Sequence, residues 1–550
     1  MTTLIPHEPY TQDELARLYP SGLKLQLVQV FLRHGERLKY NAALEDISNS
    51  SQVNVHPSHR DSQMYVAIDF LNPTIRFSDD WPYCGVARRM VHMASSSNDL
   101  SEWNGFQWRR KMESFGSNDQ AVITAGPGGT AEAMCLHGEL TDKGRETTYA
   151  LGQRLRHLYV DQLGFMPQIK ADTEDMYLRA TPIPRALESL QQVFWGMYPA
   201  SARTLDFPPP VIVARQVNEE TLFPNEGNCR RFRQLARYFA DRAATRWNDS
   251  EQMAYLNSLW SKYMPEESPK VAVDAHPRLS GIMDTINATD AHGPATKLPS
   301  EFYDKKGRAV VDRIAVEEWF AGYGESSEYR KLGIGALMGD VVDRMVSTAV
   351  EGKWRSETAA SGSGNAEIGK AIKFAMSGCH DTTLAAILSS VGGFQNESWP
   401  PFTSSIAIEL FSQAPRSAIN PGTMLEEFSS PSIASKKPGV LSRLFGKSAP
   451  EQTTTSETAR TPLGSFPEGA RESLQKHYVR IRYNDRPVRI PGCAAKAENH
   501  LPGDETFCTL DAFKAIVDKF TPKDWQSECM ESLGAGLHGP DDREKSPAGF

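Results

Sequence analysis

Apolar residues predict a buried strand near the N-terminus. Residues 23–27 alternate between leucine and polar side chains, and residues 28–32 are almost wholly apolar. A parallel strand buried on both faces has this pattern. The chain then turns polar at once, with Arg-His-Gly-Glu-Arg at 33–37. Ligands bind at the carboxyl ends of strands in open α/β sheets, so these side chains indicate an anion site, with a charged surface turn as the alternative.

The same strand–turn–helix pattern returns twice. Residues 176–178 predict a short strand, and Pro182 and Pro184 delay the following helix until Arg185. Arg185 would then lie at a helix start, where backbone N–H groups also favour an anion. Residues 371–377 predict another strand, followed by the pair His380-Asp381 and an amphipathic helix. Packing explains a His-Asp pair there poorly, although Asp381 could simply cap the helix.

The order of the elements predicts an α/β fold: a doubly wound mixed sheet flanked by helices, with an inserted, mostly α-helical cap. Residues 405–411 and 478–483 alternate at period two and predict an antiparallel pair. A further strand is predicted over 208–217, and helices are predicted over 230–247, 279–291 and 315–320. The predicted organisation is a discontinuous α/β domain at 20–217 and 366–530, with an elaborated loop region at 42–133, a cap at 218–365, a disordered hairpin insertion at 413–472 and a loose tail at 534–550.

Length and charge narrow the possible functions. A chain of 550 residues exceeds the roughly 250–300 at which one core stops growing. The net charge of -8 argues against nucleic-acid binding, so a site for an anion has to be local. No run approaches the roughly 18 apolar residues that span a bilayer. The first 20 residues lack the pattern of a signal peptide, which predicts an intracellular, cytoplasmic location.

The cysteines argue against a zinc cluster. Seven are scattered along the chain without CxxC spacing, and the odd number leaves at least one thiol free. We therefore expect no metal site and no cofactor.

The groups at the three predicted strand ends suit phosphate chemistry. Arginine forks match phosphoryl oxygens and would spread the negative charge of the transition state. A neutral imidazole among them can attack phosphorus, and an aspartic acid kept protonated can give the leaving oxygen its proton. Such an enzyme would be most active at acidic pH.

These residues resemble the histidine acid phosphatase family, the acid phosphatase and phytase branch of the histidine phosphatases, with a phosphoglycerate-mutase-like fold. Residues 33–37 are similar to its Arg-His-Gly-x-Arg-x-Pro signature, and His380-Asp381 to its His-Asp motif. The resemblance implies that His34 is the nucleophile and becomes phosphohistidine, and that Asp381 donates the proton. It implies a metal-independent hydrolysis of small phosphate monoesters, with phosphate held by Arg33, Arg37, Arg185 and His380. We expect Arg179, six residues before Arg185, to be a structural charge and not a ligand.

The sequence departs from the family pattern at three places. Lys39 replaces the proline of the signature, and Pro182 and Pro184 replace acidic residues before the phosphate-binding arginine. Cys493 and Cys508 resemble a pair that is disulfide-bonded in secreted relatives. With no signal peptide in the sequence, we expect these two thiols to be reduced.

Two alternatives to a general acid phosphatase remain open. One is a specialised phosphatase for lysophosphatidate or for phytate and other inositol phosphates. The other is a catalytically silent scaffold that binds a phosphorylated ligand, although such a binder would not need Asp381. The sequence does not indicate the oligomeric state.

Overall fold

The computed structural model describes most, but not all, of the chain. The described residues are 3–5, 7–37, 83–86, 112–115, 118–124, 135, 138–293, 296–352, 370–414, 461–533 and 547–550. Most of the predicted loop region 42–133, residues 415–460 of the predicted insertion, and Lys39 lie outside them.

The strands form one large mixed sheet and a separate hairpin. Within the described residues the strands are β1 Leu23–Arg33, β2 Met112–Phe115, β3 Ala121–Thr124, β4 Met176–Ala180, β5 Ile212–Val213, β6 Phe374–Cys379, β7 Ser405–Gln413, β8 His477–Tyr483, β9 Arg486–Val488, β10 His500–Leu501 and β11 Asp504–Thr509. The large sheet runs in the order β10-β11-β8-β7-β1-β6-β4-β5, with β9 beside β8. Its β1, β6, β4 and β5 are parallel neighbours, whereas β7 pairs antiparallel with both β1 and β8.

The helices fall before, between and after these strands. They are α1 Gln12–Leu18, α2 Asp142–Arg156, α3 Pro184–Met197, α4 Arg230–Trp247, α5 Glu251–Trp260, α6 Leu279–Ala291, α7 Lys305–Glu325, α8 Ser327–Arg330, α9 Ala336–Glu351, α10 Asp381–Ser390, α11 Glu468–Gln475, α12 Pro491–Ala494, α13 Leu510–Asp518 and α14 Trp525–Glu528. None of the helices in the described ranges is long and apolar enough to cross a membrane.

Both faces of the sheet are covered, as the apolar run in β1 predicts. Leu27 and Phe31 belong to the core shared with the helices α4 to α9. Val28, Val30 and Leu32 point the other way and share a second core with α2 and α3. Side chains alternate across a strand, so one strand contributes to both cores. The predicted doubly wound mixed sheet is confirmed.

The region 218–365 contains helices α4 to α9, and no strand lies among its described residues. Two helices, α4 and α6, have the bounds that the sequence predicts. The limits of the predicted domains stay predictions, because no observation on the described residues marks where one domain ends and the next begins.

Three predictions about secondary structure are wrong in part. The strand expected over 208–217 is reduced to β5, because Pro208, Pro209 and Pro210 have no N–H to donate. The insertion predicted to be disordered as far as 472 instead enters helix α11, whose Leu474 is buried. At the predicted loose tail, residues 547–550 contact the fold, where Gly492 N donates to Gly549 O at 2.7 Å.

The expectation of reduced thiols at Cys493 and Cys508 is also wrong. Helix α12 packs against β11 and brings the two Cα atoms to 5.4 Å, a separation that a disulfide spans, and the sulfurs are bonded. Two further disulfides are Cys84–Cys135 and Cys229–Cys529. The free thiol that the odd count requires is buried Cys379.

Candidate active site

Parallel pairing brings together the two motifs that are furthest apart in the sequence. Arg33 is aligned with Cys379 where β1 and β6 end, and His34 N donates to Cys379 O at 3.1 Å. On the other side of β6, Thr181 N donates to Gly378 O at 3.1 Å as β4 ends. The three strand ends therefore meet at one edge of the sheet, where all six predicted site residues lie.

The His34 side chain has the form of a neutral imidazole. Its Nδ1 lies 2.9 Å from Gly35 O, and because a carbonyl can only accept, Nδ1 carries the proton. Burial lowers the pKa of His34 well below its usual value, and the Arg185, Arg33 and Arg37 guanidiniums lower it further. The lone pair is therefore on Nε2, so that atom can act as a nucleophile.

Close packing fixes the turn that carries His34. Gly35 N donates to Ser189 Oγ at 3.1 Å, and Ser189 Oγ donates to Arg185 O at 2.7 Å. A Cβ at Gly35 would overlap the backbone of Gly144 at the start of α2. The glycine is required here because two backbone segments approach each other closely.

Arg33 is buried and held on three sides. Its Nη1 donates to Pro400 O, its Nη2 lies 2.7 Å from Asp381 Oδ2, and its guanidinium lies 4.2 Å from the centre of the Phe402 ring. Within the part of the chain that the structure describes, its Nε has no hydrogen-bond partner. A planar fork in this position can bind a phosphoryl oxygen.

Asp381 begins helix α10 and accepts three hydrogen bonds or ionic contacts. Besides Arg33, its donors are Thr382 N at 2.8 Å and Trp399 Nε1 at 2.9 Å. Burial raises the pKa of Asp381, but the Arg33 guanidinium, the indole N–H and His380 together bring it below its usual value. The carboxyl is therefore ionised in this state, contrary to the expectation of a protonated acid. Asp381 does not cap the helix either, because the N-cap residue is His380.

The remaining predicted ligands surround His34. Arg185 is the second residue of α3, after Pro184, and is buried. His380 Nε2 lies 3.1 Å from Thr181 Oγ1, and burial and the Arg185 guanidinium lower the pKa of His380. Arg37 Nη2 donates to both carboxylate oxygens of Asp284 on α6, at 3.1 Å each. Arg179, which we expected to be structural, pairs with buried Glu220.

A cleft of about 320 Å³ opens beside Arg33. Helices α6 and α7 form one wall and residues 398–401 form the other. The wall mixes apolar and charged side chains: Met283, Ile286, Asn287, Lys305, Arg308 and Asp312. A substrate whose phosphate lies at the strand ends would place the rest of the molecule in this cleft.

Comparison with known proteins identifies the family. The family model of the histidine phosphatase superfamily (branch 2) matches residues 24–426. The chain belongs to this superfamily. A probable acid phosphatase of Schizosaccharomyces pombe is 34% identical to this branch 2 histidine phosphatase over 511 residues, which cover 93% of this chain and 95% of the relative. The protein is thus a phosphoric monoester hydrolase.

Two further proteins are similar to this histidine phosphatase, one over about half of the chain and one at low sequence identity. Lysophosphatidic acid phosphatase type 6 of Pongo abelii is 25% identical over 285 residues, 51% of this chain and 59% of the relative. A solved structure of Hafnia alvei phytase with myo-inositol hexakis sulphate has 12% identity and a TM-score of 0.48, and the match covers 93% of this chain and 99% of that one.

Several residues of this histidine phosphatase site do not follow from its sequence motifs. Trp399 and Phe402 contact Asp381 and Arg33, and Asp284 holds Arg37. Trp399 and Phe402 belong to the run Trp-Pro-Pro-Phe shortly before β7, where two prolines and two aromatic rings indicate a rigid loop. Asp284 sits on a helix whose packing the sequence does not define, so nothing local marks it.

Proposed function

We propose that this histidine phosphatase hydrolyses phosphate monoesters in two steps through a phosphohistidine. His34 Nε2 attacks phosphorus while the bond from phosphorus to the ester oxygen breaks, and Asp381 gives its proton to the departing oxygen. Water then attacks phosphorus, Asp381 takes up a proton from that water, and the bond to His34 breaks, which releases inorganic phosphate. Arg33, Arg37, Arg185 and His380 hold the phosphoryl oxygens in both steps.

The observation that carries this proposal is the state of His34. An imidazole that is buried among three guanidiniums stays neutral at the acidic pH where an acid such as Asp381 can be protonated. The same guanidiniums suit a phosphoryl group, because each presents a planar set of donors. A silent scaffold would need the arginines but neither a neutral nucleophile nor Asp381.

The ion pair of Arg33 and Asp381 explains how an ionised carboxyl can become an acid. A phosphate dianion at the strand ends competes with Asp381 for Arg33 Nη2. Once Arg33 binds phosphate, Asp381 is buried next to negative charge, and both changes favour its protonated form. In this scheme, substrate binding itself prepares the proton donor.

A lysophosphatidate-like substrate is a second candidate. Met283 and Ile286 in the cleft wall offer apolar contact to its acyl chain, and Lys305 and Arg308 in the same wall offer positive charge. The similarity to a lysophosphatidic acid phosphatase points the same way. Rates on sugar phosphates, lysophosphatidate and phytate would rank the candidates.

The test compares the wild type with His34→Ala on an aryl phosphate at about pH 5, with and without a chelator. We expect full activity with chelator and a loss of at least about 10³-fold in the variant. Phosphohistidine is unstable in acid, so an acid quench would destroy the intermediate. It should therefore be trapped by denaturation at alkaline pH. His157→Ala, at an exposed histidine, is the matched control. Equal activity of wild type and His34→Ala, or loss on chelation, would contradict the mechanism.

A further inference from the structure

Asp381 contacts two donor side chains, Arg33 and Trp399, and Trp399 is the uncharged one. The Asp381 Oδ2 atom accepts from Trp399 Nε1 at 2.9 Å and from Arg33 Nη2 at 2.7 Å. An indole N–H can only donate, and it carries no charge that a phosphate could attract. The two contacts to Oδ2 therefore respond differently when an anion arrives, because Arg33 has a competing partner and Trp399 does not.

Trp399 and the helix backbone together fix the orientation of the carboxyl. Thr382 N donates to Oδ1 at 2.8 Å, while the indole donates to Oδ2. With one donor on each oxygen, the carboxyl group cannot rotate about its Cβ–Cγ bond without breaking a hydrogen bond. This restraint remains when Arg33 turns to the phosphate.

Helix α7 holds Trp399 through its backbone N–H and through packing of its ring. Trp399 N donates to Asp312 Oδ1 at 3.1 Å. The centre of the Trp399 ring lies 4.8 Å from the centre of the Phe320 ring and 6.2 Å from the centre of the Trp319 ring. Only 9% of the residue is exposed, so its ring has little freedom.

We propose that Trp399 is a positioning residue. It keeps the Asp381 carboxyl directed at the departing oxygen once Arg33 contacts the substrate phosphate in place of Asp381. This inference rests on the proposed role of Asp381 as proton donor. It makes α7, which contributes no group to the phosphate site, a support of the acid step through Asp312 and Trp399. Residues 398–401 also line the cleft beside Arg33, so the loop that carries Trp399 borders both the cleft and the proposed proton donor.

The first test is Trp399→Phe, which keeps an aromatic ring and removes the N–H. The value of kcat/KM for an alkyl phosphate, whose oxygen needs a proton to leave, should fall about tenfold, as for the loss of one hydrogen bond. The value for an activated aryl phosphate should fall less than threefold. The inhibition constant of vanadate should stay within twofold, because the phosphate ligands are untouched.

Trp525→Phe is the matched control, since Trp525 Nε1 donates to Leu332 O at 2.8 Å away from the site. It should leave the ratio of the two kcat/KM values unchanged. A second pair of variants keeps the proposal testable if Trp399→Phe does not fold. Asp312→Ala removes the acceptor of the Trp399 backbone N–H, and Asp312→Asn keeps an oxygen acceptor there. Only the alanine variant should lower the alkyl rate selectively.

Equal losses on both esters in Trp399→Phe, or no loss on either, would overturn the positioning role. So would a selective loss in Asp312→Asn as large as that in Asp312→Ala. These results would leave the proposed function standing. That function fails if the wild type is inactive, if it loses activity with a chelator, or if His34→Ala retains activity.

Discussion

Arg33 and Asp381 form a buried ion pair in which Arg33 Nη2 lies 2.7 Å from Asp381 Oδ2. The pair joins a proposed phosphate ligand to the proposed proton donor. Removing one member of a buried pair leaves the other without its counter-charge. Anion binding at Arg33 and protonation of Asp381 are therefore coupled, and each should change when the other residue is altered.

Asp381→Asn should bind anions more tightly and turn over alkyl esters more slowly. The amide no longer competes with phosphate for the Arg33 guanidinium, so the inhibition constant of vanadate should fall severalfold. Alkyl phosphates should lose about 10²- to 10⁴-fold in kcat/KM, and activated aryl esters much less. Weaker binding of vanadate would contradict the coupling, and equal slowing of both esters would contradict the donor role.

The buried histidines should make the fold less stable in acid. Burial and neighbouring guanidiniums lower the pKa values of His34 and His380, whereas an unfolded histidine has a pKa near 6.5. Their contribution is complete above pH 6.5 and is lost as pH falls, because the unfolded chain binds protons that the folded site does not. Each histidine adds a slope of up to about 1.4 kcal/mol per pH unit below 6.5.

Urea unfolding between pH 7.5 and pH 5 measures that slope. We expect His34→Asn to unfold with a shallower dependence on pH than the wild type. His157→Asn, at an exposed histidine, should keep the wild-type slope. An unchanged slope in His34→Asn would mean that His34 is protonated in the folded protein at pH 5.

Gly35→Ala should disrupt the site through the backbone. The added methyl group overlaps the backbone of Gly144, so β1 and α2 must separate, at a cost of about 1–3 kcal/mol. Thermal unfolding and aryl phosphatase assays should both show the loss. Gly22→Ala is the control, because a Cβ at Gly22 meets no atom within 4 Å. Normal activity in Gly35→Ala would show that the turn is not as tightly packed as described.

The Cys229–Cys529 disulfide should contribute much of the stability. It links the residue before α4 to the end of α14 across a separation of 300 residues. The chain-entropy model gives a loop of this length a contribution of up to about 6 kcal/mol. The double variant Cys229→Ser/Cys529→Ser should therefore unfold at lower urea, and peptide mapping without reductant should recover the linked peptides. Absence of the linked peptides would contradict the disulfide.

The location of the protein stays a prediction. The predicted cytoplasmic location conflicts with the three disulfides, which favour an oxidising compartment. Peptide mapping of protein taken from its natural source, under conditions that block thiol exchange, would decide between them.

Local patterns predict the parallel centre of the sheet well. The apolar run of β1 needs cover on both faces, and helix α6 has clear helical spacing, so both follow from short-range rules. Helix α7 is longer than the predicted segment 315–320. Gly307, Gly322 and Gly324 weaken the helical pattern, yet the Asp304 side chain caps the start by accepting from Gly307 N at 2.7 Å.

The residues of the candidate site divide in the same way, into those that local patterns predict and those that depend on packing. His34, Arg185 and Asp381 each lie in the turn or at the helix start that follows a predicted strand, so the topology of the sheet brings them together. The partners Trp399 and Asp284 depend on how the helices pack over the strand ends, which no local spacing encodes. The ionised state of Asp381 depends on its contact with Arg33. Because the two residues lie far apart in the sequence, no local pattern predicts this contact.

The pairing of β1 with β6 also bears on how the chain folds. His34 N donates to Cys379 O, although more than 300 residues separate the two in the sequence. Such a contact between distant residues forms slowly, because the intervening chain must first be ordered. Phosphatase activity during refolding should therefore appear late, with completion of the sheet, and a bound anion should stabilise the whole domain and not only its first motif.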